Sequence, residues 1–181
     1  MVNKGKSGEV SLVDLKRKSI LMGLCEKYRE KWDACASKKQ LVDMALDSNG
    51  IEFMADAIAF GWGLSKEYLM QEFGEFMNGF YRRQEEGYAS EMYIGAHGVL
   101  SAESTLLLIG YCDDIEIEIP EHAVCRIYIC GGSSVRIENN GKVELLVYGA
   151  GNNIVVKNYG GTVLRKDVTK SKWVGHESDN A

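Results

Sequence analysis

The feature that most constrains this chain is an imperfect repeat in its second half. Four segments align: Met92–Val99 (MYIGAHGV), Leu107–Ile115 (LLIGYCDDI), Ile127–Val135 (IYICGGSSV) and Leu145–Ile154 (LLVYGAGNNI). Each reads as an apolar strand, a Gly-rich or polar corner, and a second strand. The last three copies start 20 and 18 residues apart. A period near twenty with two strands per unit points to a small β-solenoid, because each unit can bury its apolar face only by stacking on a neighbour.

Alternation inside the repeats assigns faces, since successive side chains of a strand point to opposite sides. In the first strands, Met92/Ile94, Leu107/Ile109, Ile127/Ile129 and Leu145/Val147 are expected to fill the interior. In the second strands, Ile115/Ile117/Ile119, Val135/Ile137 and Ile154/Val156 do the same. The outward residues differ between the two. The second strands show Glu116, Glu118, Arg136, Glu138 and Lys157, a solvated face. The first strands show Tyr93, Leu108, Tyr128 and Leu146, an apolar ladder of the kind proteins keep covered. The expected cover is the chain's own helices; the alternative is a partner protein. The candidate protein-binding residues are therefore Tyr93, Leu108, Tyr128 and Leu146 on one face, with Glu116 and Glu118 on the other.

Upstream, residues 1–10 read as a polar tail and 11–79 as a helical region. Ser11 can cap a helix to about Ala34, with Leu21, Leu24, Cys25, Tyr28 and Trp32 recurring every three or four positions as one stripe. Ser37 and Gln40 have capping-box spacing and start a second helix, which Asn49-Gly50 should end. A third is expected over Ile51 to Phe60. Ser65 caps a fourth, reaching about Met77. A hairpin across Glu85-Glu-Gly87 opens the β region, residues 80–165, and the polar stretch 166–181 should fray. The predicted fold is α+β: an N-terminal layer of about four helices, then a short β-solenoid of about four two-strand rungs.

Composition narrows function by exclusion. A net charge of −5 disfavours general binding to nucleic acid. There is no apolar run long enough for a membrane span, and the start lacks the apolar core of a secretory signal. Five cysteines, an odd number, suggest no disulfide framework. The expectation is a cytoplasmic protein without membrane contact, cofactor or metal.

Four groupings could carry chemistry, and each has a plainer reading. Helices flanking Gly61–Ser65 have helix-turn-helix layout, but Lys66–Phe76 holds three glutamates and one lysine, the wrong sign for a polyanion. Cys112, His122, Cys125 and Cys130 lie close in sequence without the tight ligand pairs that zinc sites use. Cys125 near His122 and Asp113-Asp114 could form a nucleophilic set only if a base came within hydrogen-bond reach. Glu116 and Glu118 share a strand face roughly 6–7 Å apart by strand rise, a spacing that acid/base chemistry on a sugar could use. No aromatic platform flanks them on that face. The glycines lie between strands and make no phosphate-binding fingerprint.

The stretches Asp43–Phe53, Gly61–Ser65, Met77–Tyr81, Gly87–Ser90 and Ser104–Leu108 resemble small uncharacterised proteins encoded by bacterial phages and mobile elements. The resemblance spans about residues 20–165 and brings no activity to any residue. It implies a context, an accessory protein that engages host machinery or host defence. The leading functional expectation is a non-enzymatic protein-interaction module that binds or inhibits a host complex. A self-assembling solenoid, a carbohydrate-active enzyme on the Glu116/Glu118 face, and a nucleic-acid binder or mimic are the alternatives.

Overall fold

A computed structural model describes residues 12–21, 23–77, 82–102 and 105–172. The expected tail at residues 1–10 and the last part of the expected C-terminal tail lie outside these. Five helices come first: α1 Leu12–Leu21, α2 Glu26–Ala34, α3 Lys38–Ala45, α4 Ser48–Ala59 and α5 Lys66–Phe73. A 3-10 turn, Gly74–Phe76, follows α5. Ten strands follow: β1 Arg82–Glu85, β2 Tyr88–Ile94, β3 His97–Ser101, β4 Leu106–Gly110, β5 Asp114–Ile119, β6 Val124–Cys130, β7 Ser134–Asn139, β8 Lys142–Tyr148, β9 Asn153–Asn158 and β10 Thr162–Val168.

The strands wind a β-solenoid of four two-strand rungs. One sheet has the order β1-β2-β4-β6-β8-β10 and the other β3-β5-β7-β9. All pairings are parallel except the β1–β2 hairpin. Ile109, Ile115, Ile117, Ile127, Ile129 and Leu145 are fully enclosed between the sheets. Corners turn on left-handed residues: Gly131 and Gly132 at one, Gly149 and Gly151 at the next. Tyr111 takes the same conformation without being glycine, at φ 55°. Its hydroxyl donates to Leu64 O at 2.8 Å, which ties that corner to the helical layer.

The helices cover the middle of the outer face of the six-stranded sheet, while Arg126 and Leu164 on the same face stay exposed. Leu108, Tyr128 and Leu146 are buried there in a core shared with Leu46, Ile51, Ile58, Leu69 and Phe73. The ladder's cover is thus the chain's own helical layer. Tyr93 does not belong to the ladder. The register pairs Met92 with Leu108 and Tyr93 with Ile109, so Met92 and Ile94 face the helices and Tyr93 packs against the inter-sheet core. The cause is the first corner: two residues separate Ile94 from His97, whereas three separate Gly110 from Asp114. Aligning the units by their glycines slips β2 by one residue, and a one-residue slip exchanges faces. Val99 is displaced in the same way, pairing with Glu116 and pointing outward.

Three helical expectations change. Gly23, at φ 101°, ends α1, and the Leu24 N–H donates to Ser19 O at 2.8 Å. The single helix to Ala34 is therefore two, and the expected stripe is broken, with Leu21 and Cys25 exposed. Asn49-Gly50 starts a helix instead of ending one. Asp47 caps α4 by accepting from the N–H groups of Asn49 and Gly50 at 3.1 and 2.8 Å. Gly50 is needed there because a Cβ would lie 2.4 Å from Met44 O at the end of α3. Ser37 and Ser65 do cap α3 and α5, accepting from Gln40 N and Tyr68 N. Residues 166–172 do not fray: β10 runs to Val168, and the Lys172 N–H donates to Asp56 Oδ2 at 3.0 Å.

Candidate interaction face

Among the described residues, the four-stranded sheet has no helix on its outer side. Its outward residues form three rows across β3, β5, β7 and β9: His97–Asp114–Ser134–Asn153, Val99–Glu116–Arg136–Val155 and Ser101–Glu118–Glu138–Lys157. Interior residues alternate with them, so β5 places Asp114, Glu116 and Glu118 outward and buries Ile115, Ile117 and Ile119.

Charges on this face are cross-strand pairs. Arg136 reaches Asp114 at 2.9 Å and Glu116 at 3.6 Å, and Lys157 reaches Glu138 at 3.1 Å. The hydrogen bond to Glu138 raises the Lys157 ammonium above its ordinary pKa. Exposed pairs of this kind add little stability. The face carries Asp114, Glu116, Glu118 and Glu138 against Arg136 and Lys157, an acidic excess. Val99 is 64% exposed and Val155 48%, one at each end of the middle row. Glu116 and Glu118 therefore sit together, as the strand spacing required, but on an open flat surface. Neither lines the larger hollows at α2 or at the β6–β8 edge.

The other groupings separate. Cys125 points between the sheets and Cys130 toward the helices, since they stand five apart on one strand. His122 is exposed at a turn. Among the described residues, no group of three or more His, Cys, Asp or Glu side chains is placed to hold a metal ion. Burial pushes the Cys125 thiol up to about 11 and raises Cys112 and Cys130 too, which leaves all three protonated and poorly nucleophilic. α5, the would-be recognition helix, buries Tyr68, Leu69 and Phe73 in the helical core.

The end of the solenoid holds two charges that the repeat did not announce. Arg165 and Asp167 pair with Leu145 and Val147, so they continue interior columns of the stack. They form an ion pair with each other at 2.9 Å. Among the described residues, no helix is long and apolar enough to cross a membrane. No protein-family model matches this chain, no curated protein matches it, and no solved structure matches it.

Proposed function

We propose that this chain is a non-enzymatic protein-interaction module that docks a partner on the outer face of the four-stranded sheet. The carrying observation is the asymmetry of the solenoid: its own helices cover the middle of one sheet, while among the described residues nothing covers the acidic face of the other, where Val99 and Val155 flank the ion pairs. Aliphatic contacts beside charges suit a protein partner with a flat, basic patch, where opposite charge sets orientation and encounter rate. The same acidity opposes a nucleic-acid backbone. Protonated buried thiols and the ion pair of Glu116 with Arg136 support a role without catalysis. The resemblance to proteins of phages and mobile elements adds a host protein as the expected partner, met in the cytoplasm.

Self-stacking is opposed by the last strand. A second copy added end to end would bury Arg165 and Asp167 against its own apolar columns, and inward charges on an edge strand resist such pairing.

The test identifies partners by cross-linking and then measures affinity by titration. Glu116→Lys with Glu118→Lys should weaken binding at least about tenfold and alter its salt dependence while the chain stays folded. Val155→Asp should weaken it independently. A partner whose affinity survives both changes does not use this face.

A further inference from the structure

We infer that the helical layer holds a binding site for a small, uncharged, mainly apolar molecule, in the cleft between α2 and the α3–α4 pair. The cleft has a volume of about 270 Å3. Tyr28 and Trp32 of α2 face it from one side, and Met44, Phe53 and Met54 of α3 and α4 from the other. All five are only half-buried, and Trp32, Phe53 and Met54 also pack against the helical core. Among the described residues nothing fills the cleft, which leaves a concave apolar surface.

α2 has no fully buried residue, and half-buried Trp32 packs it against the helical core. Polar ties hold the helix as well. The Tyr28 hydroxyl donates to Asp47, Lys31 pairs with Asp47 at 2.9 Å, and Lys16 of α1 pairs with Asp33. Asp47 is also the cap of α4, so the tie is anchored on a rigid helix end. A second hollow of about 70 Å3 lies beside it, sharing Trp32, Met44, Ala45 and Met54 and lined further by Phe73 and Met92.

Charge and shape set the ligand class. The ionised groups at the rim are matched: Lys31 with Asp47, and Glu52 with Lys172. A charged ligand would lie in the cleft without a counter-ion, which is costly. Asn49 and Glu52 at the mouth can hydrogen-bond one polar group. Three rings and two thioethers fit an aromatic or alkyl body, and methionine adapts to irregular shapes. Apolar cavities of about 150 Å3 take up a single benzene ring. The cleft therefore has room for a two-ring body.

The experiment uses the full chain and the uncharged probe N-phenyl-1-naphthylamine. Expected results are saturable one-to-one binding and affinity at least about tenfold higher than for the sulfonated analogue 1-anilinonaphthalene-8-sulfonate, which must bury an unpaired charge. Ala45→Phe should fill the space, abolish probe binding and leave the circular dichroism spectrum unchanged. Should that variant fail to fold, Met44→Glu supplies the answer. It sets a charge in the cleft wall and should weaken probe binding at least about tenfold. No saturable binding to the unaltered chain, equal affinity for the sulfonate, full binding by folded Ala45→Phe, or unchanged probe affinity in folded Met44→Glu would each overturn the proposal. A cleft reserved for a side chain of a partner protein would show the first of these results.

Discussion

The outer faces of the two sheets start from one rule of alternation and end in opposite environments. On the helix-covered sheet the middle row is Leu108–Tyr128–Leu146, between 0% and 7% exposed. On the bare sheet the corresponding row is Glu116–Arg136–Val155. The interior columns behind them are equally buried. What differs is the worth of covering the outside. A buried Leu contributes about 1.5–3 kcal/mol, so a ladder of such residues draws helices onto itself. Paired charges gain nothing from being covered and lose hydration. The rungs make the scaffold, and the outward residues decide which side becomes core and which stays available.

Truncations on the two faces should break this comparison most sharply. Tyr128→Ala should cost about 3–5 kcal/mol in urea unfolding, because it leaves a cavity under α4. Val155→Ala should change stability by less than about 0.5 kcal/mol. Similar costs at the two positions would mean that the faces are not distinct.

The next effect concerns the scaffold shared by both faces. At the β7–β8 corner, a Cβ on Gly141 would lie 2.4 Å from Pro120 O and 2.5 Å from Ala123 O, both backbone atoms. Gly141→Ala should destabilise by about 1–3 kcal/mol through overpacking, read as a lower thermal midpoint. Nearby, buried Asn139 holds the corner by donating to Asn158 Oδ1 at 2.8 Å and accepting from Gly141 N at 3.2 Å.

Two acids on or beside α4 give smaller effects of opposite sign. Burial alone would raise the Asp47 carboxyl, but hydrogen bonds from Tyr28, Lys31 and the Gly50 N–H outweigh it and hold the group below the usual carboxylate value. Its stabilisation is present above the unfolded value near pH 4 and is lost as pH falls through the lower folded value. Asp47→Ala should cost about 1–2 kcal/mol at neutral pH through loss of the cap, and less in acid. Asp56 is raised, chiefly by burial, and its Oδ1 has no hydrogen-bond partner. Its contribution favours the folded state below about pH 4 and is lost as pH rises through the raised folded value. Asp56→Asn should therefore raise the thermal midpoint slightly at pH 7 relative to the unaltered chain, with the difference shrinking in acid. A loss that grows with pH would contradict this account.

Legibility in the sequence followed the range of the interactions. Ser37 and Ser65 were readable as caps because a cap bonds only two or three residues away. Asn49-Gly50 was misread because the deciding group, Asp47, could cap the next helix as readily as Asn49-Gly50 could end the last. Tyr93 falls on the other face because its register depends on a two-residue corner, whereas the later corners hold three or four residues. Glu116 and Glu118 were legible as a pair on one face, since strand period alone sets that. The ion pairs of Arg136 with both Asp114 and Glu116 could be anticipated only in part, because they need the stacking register. The α2 cleft had no signature at all, as it arises from how α2 packs across two other helices.

By itself, the sequence determined the solenoid. A twenty-residue period with alternating apolar strands has few ways to bury its surface, and stacking is the one available to a chain this short. It also determined that one outer face is apolar and the other charged. Tertiary structure alone decided that the chain's own helices take the apolar face, that Gly23 splits the first helix, and that β10 ends the stack with Arg165 and Asp167 in interior columns. Those outcomes rest on contacts between residues far apart in the chain, whose geometry no local spacing encodes.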